Sequence, residues 1–280
     1  MPTLQPPLLS RALSSMLSRT LSKVADVMAP PVCPACGAET EARQLCGSCF
    51  AEARFIAGPI CGGCGRPEPR LSLPDPDFRC SACLRAPHAF TEARAAAVYG
   101  GTVRRMILSL KHADRQELAP LMARWLAAAA GPLLEETEII VPVPLHWRRR
   151  LKRGTNQAAE IARPLAAPGR AFRPDLLRRV RATPSQGGLD RGQRLANLHG
   201  AIQPARYAAR VLSGRRVLVV DDVMTTGATL DTSARALIAA GASRVDALVI
   251  AVVQQTDDAH MPASTHSGQE PFPGGPQTED

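Results

Sequence analysis

The sequence predicts an α/β fold, a central parallel sheet flanked by helices, preceded by a small N-terminal domain built on four-cysteine zinc ribbons. Three observations favour this fold class. Apolar, β-branched runs without polar alternation, typical of strands buried on both faces, recur between helical patterns. The strongest run ends in two carboxylates and passes through a Thr- and Gly-rich turn into a helix. Ahead of these runs, four Cys-x-x-Cys pairs stand within residues 33–83.

Residues 1–30 form an N-terminal extension in which residues 8–28 space Leu and Met at helical intervals, with Ser and Arg between them. This pattern predicts an amphipathic helix, which either caps the next domain, as we favour, or acts as a transit peptide or membrane-surface helix. Arg11, Arg19 and Lys23 interrupt the segment and argue against a secretory signal, so we expect a cytoplasmic protein. Because no apolar run approaches the ~18 residues of a membrane span, no stable membrane insertion is expected.

Residues 31–86 are predicted to form a double zinc-ribbon domain. A Cys-x-x-Cys turn presents two thiolates to one tetrahedral ion, so four pairs complete two structural zinc sites. The predicted ligands are Cys33, Cys36, Cys46, Cys49, Cys61, Cys64, Cys80 and Cys83. Disulfides are the alternative, and the missing export signal disfavours them.

The grouping of the four cysteine pairs is open to two arrangements. We prefer a sequential grouping, first pair with second and third with fourth, to a cross-brace of first with third and second with fourth. Gly37, Gly47 and Gly65 follow their cysteines closely, so backbone N–H groups there can bond the sulfurs in zinc knuckles. With so small a core, folding of this domain should depend on zinc.

Residues 90–253 are predicted to form the α/β domain. The expected strands are residues 95–99, 138–143, 217–220 and 245–253, and the expected helices are residues 99–119, 118–130 and 156–162, with one more after the Thr-rich turn. Gly131 and Pro132 should stop the second helix, and Gly241 should cap the last. The tail, residues 254–280, is acidic, lacks Lys and Arg, and is predicted to be disordered.

Residues 217–229, VLVVDDVMTTGAT, carry the most specific chemistry in the chain. The predicted strand ends at Asp221 and Asp222, and a helix N-terminus with free N–H groups and a favourable dipole follows. The turn between them contains Thr225, Thr226, Gly227, Ala228 and Thr229. Since paired carboxylates suit the vicinal hydroxyls of a ribose, the predicted ligand is a sugar phosphate. The alternative is an ordinary strand-to-helix turn with solvated Asp residues.

Positive charge is concentrated in the middle of the chain. Residues 144–216 contain 17 Lys and Arg against three acidic residues, a net charge of +14, although the whole chain carries only +9. This excess predicts an anionic partner, either a polyanionic metabolite or a nucleic-acid backbone. The densest basic run follows the strand of residues 138–143, where α/β proteins bind ligands, and a solvated basic loop is the alternative.

Two further sites are candidates for ligand contact. Lys111 closes the helix that presents Val103, Met106, Ile107 and Leu110 on its apolar side. It is either a substrate contact or a cation that favours a helix C-terminus. Residues 178–199 are polar and Gly-bearing without an apolar period, which predicts a mobile flap over the ligand or else a linker. Candidate contacts in this segment are Arg181, Thr183, Gln186, Arg194 and Asn197.

These motifs together resemble a known family. The segment from Val217 to Thr229 resembles the motif by which type I phosphoribosyltransferases bind 5-phosphoribosyl 1-pyrophosphate (PRPP). The cysteine array, Leu110-Lys111, residues 142–157, residues 183–197 and this motif are similar, in that order, to the ComF family of competence-associated, phosphoribosyltransferase-like proteins. The resemblance covers about residues 30–253, and Thr155 departs from it because the family usually has an aromatic residue there.

The resemblance implies a type I phosphoribosyltransferase fold with a small hood near residues 90–130. It implies that Asp221 and Asp222 are the catalytic pair on the ribose hydroxyls, and that residues 225–229 hold the 5′-phosphate. The pyrophosphate and flap contacts implied are Arg148, Arg153, Gly154, Asn156, Gln157, Gln186, Arg194 and Lys111. Mg²⁺ would bridge pyrophosphate and ribose, with zinc confined to the cysteine sites.

Three functions are consistent with these expectations. The chain could transfer phosphoribose from PRPP to an acceptor that the sequence does not identify, with no protein nucleophile needed. It could handle single-stranded DNA with the competence machinery during DNA uptake, although only 4% of its residues are aromatic and able to stack on bases. It could instead be a regulatory protein that senses PRPP or a nucleotide without turnover. The first two are compatible, and we favour their combination.

Overall fold

A computed structural model describes residues 31–111, 113–147, 151, 154–181 and 191–254. The predicted N-terminal helix and nearly all of the acidic tail lie outside these ranges. Seven strands are present in the described part of the chain: β1 (Ala93–Val98), β2 (Ile139–Pro142), β3 (Ala171–Phe172), β4 (Leu177–Arg179), β5 (Ile202–Pro204), β6 (Arg216–Met224) and β7 (Arg244–Val252). The α-helices of the same ranges are α1 (Gly47–Glu52), α2 (Ser81–Arg85), α3 (Gly101–Lys111), α4 (Ala119–Ala130), α5 (Pro132–Glu136), α6 (Gln157–Ala162), α7 (Arg191–Leu198), α8 (Ala208–Leu212) and α9 (Ala228–Ala239).

The main sheet has five parallel strands in the order β1-β7-β6-β2-β3, which confirms the predicted α/β class. Successive residues of β6 face opposite sides of the sheet. Val217 and Val219 pack with α8, α9 and the β4–β5 sheet, and Leu218 and Val220 pack with α3, α4 and α6. Because both faces are covered, the central strands are apolar throughout, the pattern seen in the sequence.

The strand β6 is longer than predicted. Pairing with β2 ends at Val220, where the predicted strand ended, but pairing with β7 continues through Asp221 to Met224. The two carboxylates therefore lie within β6 and not beyond it, at the level where β2 has already turned away. They thus lie near the carboxyl edge of the sheet, where ligands of α/β proteins bind.

The helices follow the predicted apolar faces. All four predicted apolar residues of α3 are buried, and the helix ends at Lys111, the residue predicted to close it. The rest of the expected stretch contains a 3-10 helix (Ala113–Leu118) that leads into α4. At Gly131, with φ +49°, the chain turns and at once begins α5, because Pro132 is well suited to the first helical position. Gly241, with φ +100°, follows α9 as predicted.

The cysteine-rich segment packs directly on the α/β domain. Cys33 and Cys49 belong to the core on the α3–α4 face, whereas Cys61, Cys64 and Cys83 belong to the core on the α9 face. Residues 54–56 link the two halves and pair antiparallel with β1 through the bonds Ile56 N–H to Ala96 O and Val98 N–H to Arg54 O. The ribbons therefore share core residues with the sheet, and their linker covers its β1 edge.

Two expectations about smaller elements need correction. The ends of the predicted flap, residues 178–199, are regular elements, because β4 pairs antiparallel with β5 and residues 191–198 form the helix α7, while residues 182–190 lie outside the described ranges. Residues 90–130 do not form a hood, since β1 is an edge strand of the main sheet and α3 and α4 pack on its face. The separate small sheet is β4–β5.

Candidate functional site

The eight cysteines gather into two sets with the geometry of zinc sites. Within each set the ligand sulfurs all lie within 4.8 Å of one another, and all eight thiols are free of disulfides. The sets are Cys33, Cys36, Cys46 and Cys49, then Cys61, Cys64, Cys80 and Cys83, which confirms the sequential grouping. Measured Sγ–Sγ distances of 3.7 and 3.8 Å match the ~3.8 Å expected between two thiolates bound ~2.3 Å from one tetrahedral zinc ion.

Each zinc site combines a knuckle with a helix N-terminus. Gly37 and Gly65 have φ +81° and +68° and donate their N–H groups to the carbonyls of Cys33 and Cys61, as zinc knuckles require. Gly47 does not form a third knuckle, because it opens helix α1. Cys46 and Cys80 precede α1 and α2, where helix N–H groups favour a thiolate. The Ser48 hydroxyl lowers the pKa of Cys46 to about 6.

The paired carboxylates lie beside a cation from another element. Lys111, at the end of α3, places its Nζ 2.8 Å from Asp222 Oδ2, and the two side chains are 25% and 17% exposed. The Asp222 N–H donates to Asp221 Oδ1 at 2.9 Å, which fixes the first carboxylate against the backbone of the second. The structure thus brings together three of the residues singled out in the sequence, from positions far apart in the chain.

Asp221 is electrostatically unusual. Burial and the neighbouring charge of Asp222 raise its pKa to about 7, although the Asp222 N–H, Lys111 and Arg179 act in the opposite direction. A carboxyl group that titrates near neutrality at the edge of a sheet is a common feature of ligand sites. It would gain most from a ligand that satisfies the ionised form with hydroxyl donors or a cation.

The turn after β6 has the form of a phosphate loop, a name we use for residues 225–229. Gly227 has φ +80° and immediately precedes α9, so a helix N-terminus points at the turn. The Thr226 hydroxyl oxygen is buried and has no hydrogen-bond partner among the described residues. Because an unpaired buried hydroxyl is costly, its donor fits an anion held in the loop. Asp221 and this loop line one depression.

The loop after β2 reaches the same edge of the sheet. Val143 N–H donates to Val220 O, and Asn156 Nδ2 donates to Val143 O at 3.0 Å, so Asn156 is anchored near Val220, the residue before the paired carboxylates of β6. Its Oδ1 is buried and lacks a partner within the described part of the chain. Gly154 is exposed with φ +74°. Gln157 is only 3% exposed, which suits a role in holding this loop. Arg148 and Arg153 lie outside the described residues.

Hydrogen bonds join the two ends of the segment that was predicted as a flap. Arg181 Nη2 donates to the carbonyls of Asn197 and His199, at 3.0 and 2.8 Å, and so joins the end of β4 to the end of α7. Arg194 lies on α7. Thr183 and Gln186 fall in the stretch between these elements, outside the described residues. Arg181 is thereby placed as a cap of α7.

Sequence reasoning missed three residues of the second ribbon region and α9 that touch the phosphate loop. Arg66 donates to the carbonyl of Thr225, and the His88 ring lies against Gly227 and 3.0 Å from the carboxylate of Asp231. No local pattern marks these residues, because their partners stand 143 to 159 positions away in the chain. In the sequence, Arg66 could be noticed only because it follows Cys64, and Asp231 only because it follows the Thr-rich turn.

Comparison with known proteins agrees with this architecture. Residues 24–86 match the double zinc ribbon domain family, and residues 151–264 match the phosphoribosyl transferase domain family. Fold and site therefore define a protein that joins a phosphoribosyltransferase-type domain to a double zinc ribbon.

The relatives place the chain within one family. DNA utilization protein YhgH of Salmonella typhimurium is 32% identical over 207 residues, which cover 72% of this chain and 87% of that protein. Competence protein F of Haemophilus influenzae is 28% identical over 210 residues, 72% of this chain and 87% of that protein. Competence protein ComFC of Bacillus subtilis is 25% identical over 205 residues, 71% and 79%. The chain belongs to the ComF family, as the order of its motifs indicated.

Described residues include no helix long and apolar enough to cross a membrane. Among solved structures, TT1426 from Thermus thermophilus is 22% identical and covers 54% of this chain and 88% of that chain, with a TM-score of 0.26. So low a score adds nothing to the assignment of function.

Proposed function

We propose that this chain binds PRPP at the carboxyl end of β6 and acts in the handling of DNA during its uptake and utilisation. The phosphate loop carries the first half of this proposal. Gly227 opens α9 toward the loop, and the buried Thr226 hydroxyl has no partner among the described residues, so a phosphate oxygen would satisfy it. The names of the relatives, which refer to DNA utilization and competence, support the second half.

The remaining site residues have separate roles in this proposal. Asp221 and Asp222 accept hydrogen bonds from the ribose hydroxyls, and Lys111 holds Asp222 in place through their 2.8 Å ion pair. These carboxylates also suit Mg²⁺, which prefers oxygen ligands and would neutralise the pyrophosphate when bound. Asn156 positions the loop after β2, whose sequence supplies Arg148 and Arg153 for the pyrophosphate.

Calorimetry with PRPP and Mg²⁺ tests the ligand. We expect the wild type to bind and Asp221→Ala/Asp222→Ala to lose at least 100-fold in affinity, since two charge-assisted hydrogen bonds contribute roughly 1.5–3 kcal/mol each. Asp75→Ala/Asp77→Ala, which removes two exposed carboxylates from the ribbon, is the matched control and should bind like the wild type. The absence of any heat of binding when PRPP is titrated into the wild type would refute the proposal.

Trp147 provides a specific reason to test single-stranded DNA. Its side chain is 56% exposed, and the sequence that follows it, RRRLKR, is almost entirely basic. An aromatic face beside phosphate-binding cations is the usual arrangement for binding single strands. The other tryptophan, Trp125, packs edge-to-face on Phe55 with ring centroids 5.0 Å apart, so a fluorescence change on DNA binding would come from Trp147.

A salt series with a fluorescent oligonucleotide tests this part. Affinity should fall linearly with the logarithm of salt concentration, with a slope of about −0.7 per phosphate contacted. Trp147→Ala should weaken binding by ~1–3 kcal/mol, the contribution of one stacked base. Phe50→Ala, an equally exposed aromatic on α1, is the control and should leave binding unchanged. Binding that is insensitive to salt would count against the DNA proposal.

A second candidate function, PRPP sensing without turnover, uses the same site. Pyrophosphate release measured with a broad panel of bases and amines distinguishes the two. Release with any acceptor would support transfer, and PRPP binding without release throughout the panel would favour sensing.

A further inference from the structure

A side chain of the second zinc ribbon, Arg66, forms a hydrogen bond with the backbone of the phosphate loop. Arg66 Nε donates to the carbonyl of Val253 at 3.0 Å, and Arg66 Nη2 donates to the carbonyl of Thr225, the first residue of the loop. Val253 N–H in turn donates to Met224 O, at the end of β6. One guanidinium therefore fixes the loop and the end of the neighbouring strand β7 relative to each other.

The zinc knuckle fixes the position of Arg66. Cys61 N–H donates to the carbonyl of Arg66 at 2.9 Å, which closes the knuckle that begins at Cys61 and includes Cys64. Both cysteines are fully buried. Gly65 lies so close to β1 that an added Cβ would stand 2.6 Å from the carbonyl oxygen of Ala93. Arg66 consequently cannot shift away from Thr225 without a change in the knuckle or in its packing on the sheet.

The end of the same ribbon region holds the start of α9. His88 Nδ1 lies 3.0 Å from Asp231 Oδ2, and Ala89 N–H donates to Asp231 Oδ1 at 2.7 Å. Asp231 is fully buried, and its own N–H donates to the carbonyl of Gly227. The His88 ring also covers Gly227, where an added Cβ would lie 2.7 Å from Cε1. The first turn of α9 is thus fixed to residues 88 and 89, directly after the ribbon domain.

We propose that the second zinc ribbon is a working part of the phosphate site, in which Arg66 and His88 are positioning residues for the phosphate loop. This inference rests on the proposed binding of PRPP and adds that the affinity for the 5′-phosphate depends on the ribbon. A preformed loop binds an anion more tightly than one that must be ordered on binding, because the ordering free energy has already been spent in folding. The ribbon supplies that order through Thr225 and Asp231.

Calorimetry with three ligands separates this local effect from a general loss of structure. PRPP with Mg²⁺ and ribose 5-phosphate both place a phosphate in the loop, whereas inorganic pyrophosphate with Mg²⁺ does not. For Arg66→Ala we expect about a tenfold weaker affinity for the first two ligands and unchanged affinity for pyrophosphate. Arg70→Ala, which removes an 83% exposed arginine from the same ribbon, should bind all three like the wild type.

The zinc content of each full-length variant and its midpoint of thermal unfolding are measured on the same samples. Arg66→Lys retains a donor and a charge, and its affinity for ribose 5-phosphate should lie between those of the wild type and Arg66→Ala. If Arg66→Ala loses zinc, the test uses Arg66→Lys with full zinc content. This variant should bind PRPP and ribose 5-phosphate more weakly than the wild type and bind pyrophosphate equally well.

Two results would overturn the inference in different ways. PRPP binding by the wild type, with equal affinity in the Arg66 variants, would refute the role of the ribbon and leave the proposed function intact. Absence of PRPP binding by the wild type would refute the proposed function, and this inference with it. A parallel loss of affinity for all three ligands would also contradict it, because that pattern indicates general damage.

Discussion

At the scale of single residues, the site places two carboxylates of like charge next to each other in the folded chain. Asp221 and Asp222 are adjacent on one strand, and the cation Lys111 pairs with Asp222. Burial and, after it, the charge of the adjacent Asp222 raise the pKa of Asp221, and Lys111 only partly offsets them. Binding and catalytic centres commonly contain groups arranged in this way, at a cost in stability.

Asp221→Asn should therefore stabilise the ligand-free protein at high pH. The pKa of Asp221 is about 7 in the folded chain, above the ~3.9 of an unfolded aspartate, so the folded state binds more protons between these values. Stability of the wild type consequently declines as pH rises from about 4 to about 7. We expect the thermal unfolding midpoint of Asp221→Asn to exceed that of the wild type at about pH 8 and to match it near pH 4.

Asp175→Asn is a control of opposite sign for this measurement. Arg173 lowers the pKa of Asp175, so the carboxylate stabilises the folded chain above the unfolded pKa, and its loss should slightly lower the midpoint at high pH. Equal midpoints for Asp221→Asn and the wild type throughout the range would contradict the raised pKa.

Lys111 tests whether the ion pair serves the ligand or only the helix. If it positions Asp222 for ribose, Lys111→Met should weaken PRPP binding by about tenfold, the effect of roughly 1.4 kcal/mol. A cation that merely favours the C-terminus of α3 would contribute to stability alone. Calorimetry of Lys111→Met beside Arg104→Met, an exposed cation of the same helix, separates these roles, and equal affinities would assign Lys111 to the helix.

At the scale of elements, the transition from β6 through the phosphate loop to α9 has the most specific sequence pattern in the chain. This region was predictable because each part has a local signature: an apolar run, an acidic pair, a Gly that adopts φ +80° and a helical period. The strands β4 and β5, with three residues each, gave no such signature, and α7 has mostly polar residues. Their formation depends on tertiary contacts, so the segment 178–199 was predicted as a flap.

Gly227→Ala should damage this transition more than a glycine change elsewhere. An alanine at positive φ costs about 1–3 kcal/mol in strain, and here its Cβ would also meet His88 at 2.7 Å. Gly214→Ala is a matched control, because Gly214 has φ +71° and no atom within 4 Å of its added Cβ. Urea unfolding should show a larger loss of stability for Gly227→Ala, and only this variant should lose PRPP affinity. Equal losses would show that His88 does not restrict the loop.

At the scale of the whole molecule, the zinc ribbons and the sheet are one packed structure. The buried cysteines of one set lie in the core of each sheet face, and the Thr102 hydroxyl at the start of α3 donates to Glu52 Oε2 of α1 at 2.6 Å. The sequence revealed the zinc ligands, since their spacing is local, but not this packing. The contacts that join ribbon and sheet come from side chains without a motif of their own.

Unfolding of the zinc-loaded chain should therefore be cooperative. Differential scanning calorimetry is expected to show a single transition, because removal of either ribbon exposes part of a shared core. Cys61→Ser, at a fully buried ligand, should lower the midpoint by more than Cys36→Ser, at an exposed one. Two separate transitions, or a stable chain without residues 31–86, would indicate independent domains.

The linker at residues 54–56 has a consequence for cells that lack zinc. It shields β1, whose residues ARAAAV would otherwise present unpaired N–H and C=O groups along the border of a five-stranded sheet. If the metal is missing, the ribbons can no longer hold the linker there, and the exposed border becomes a template for strands of neighbouring chains. We expect chain made in zinc-depleted medium to accumulate as aggregates. Zinc supply would then limit the amount of folded protein in the cell.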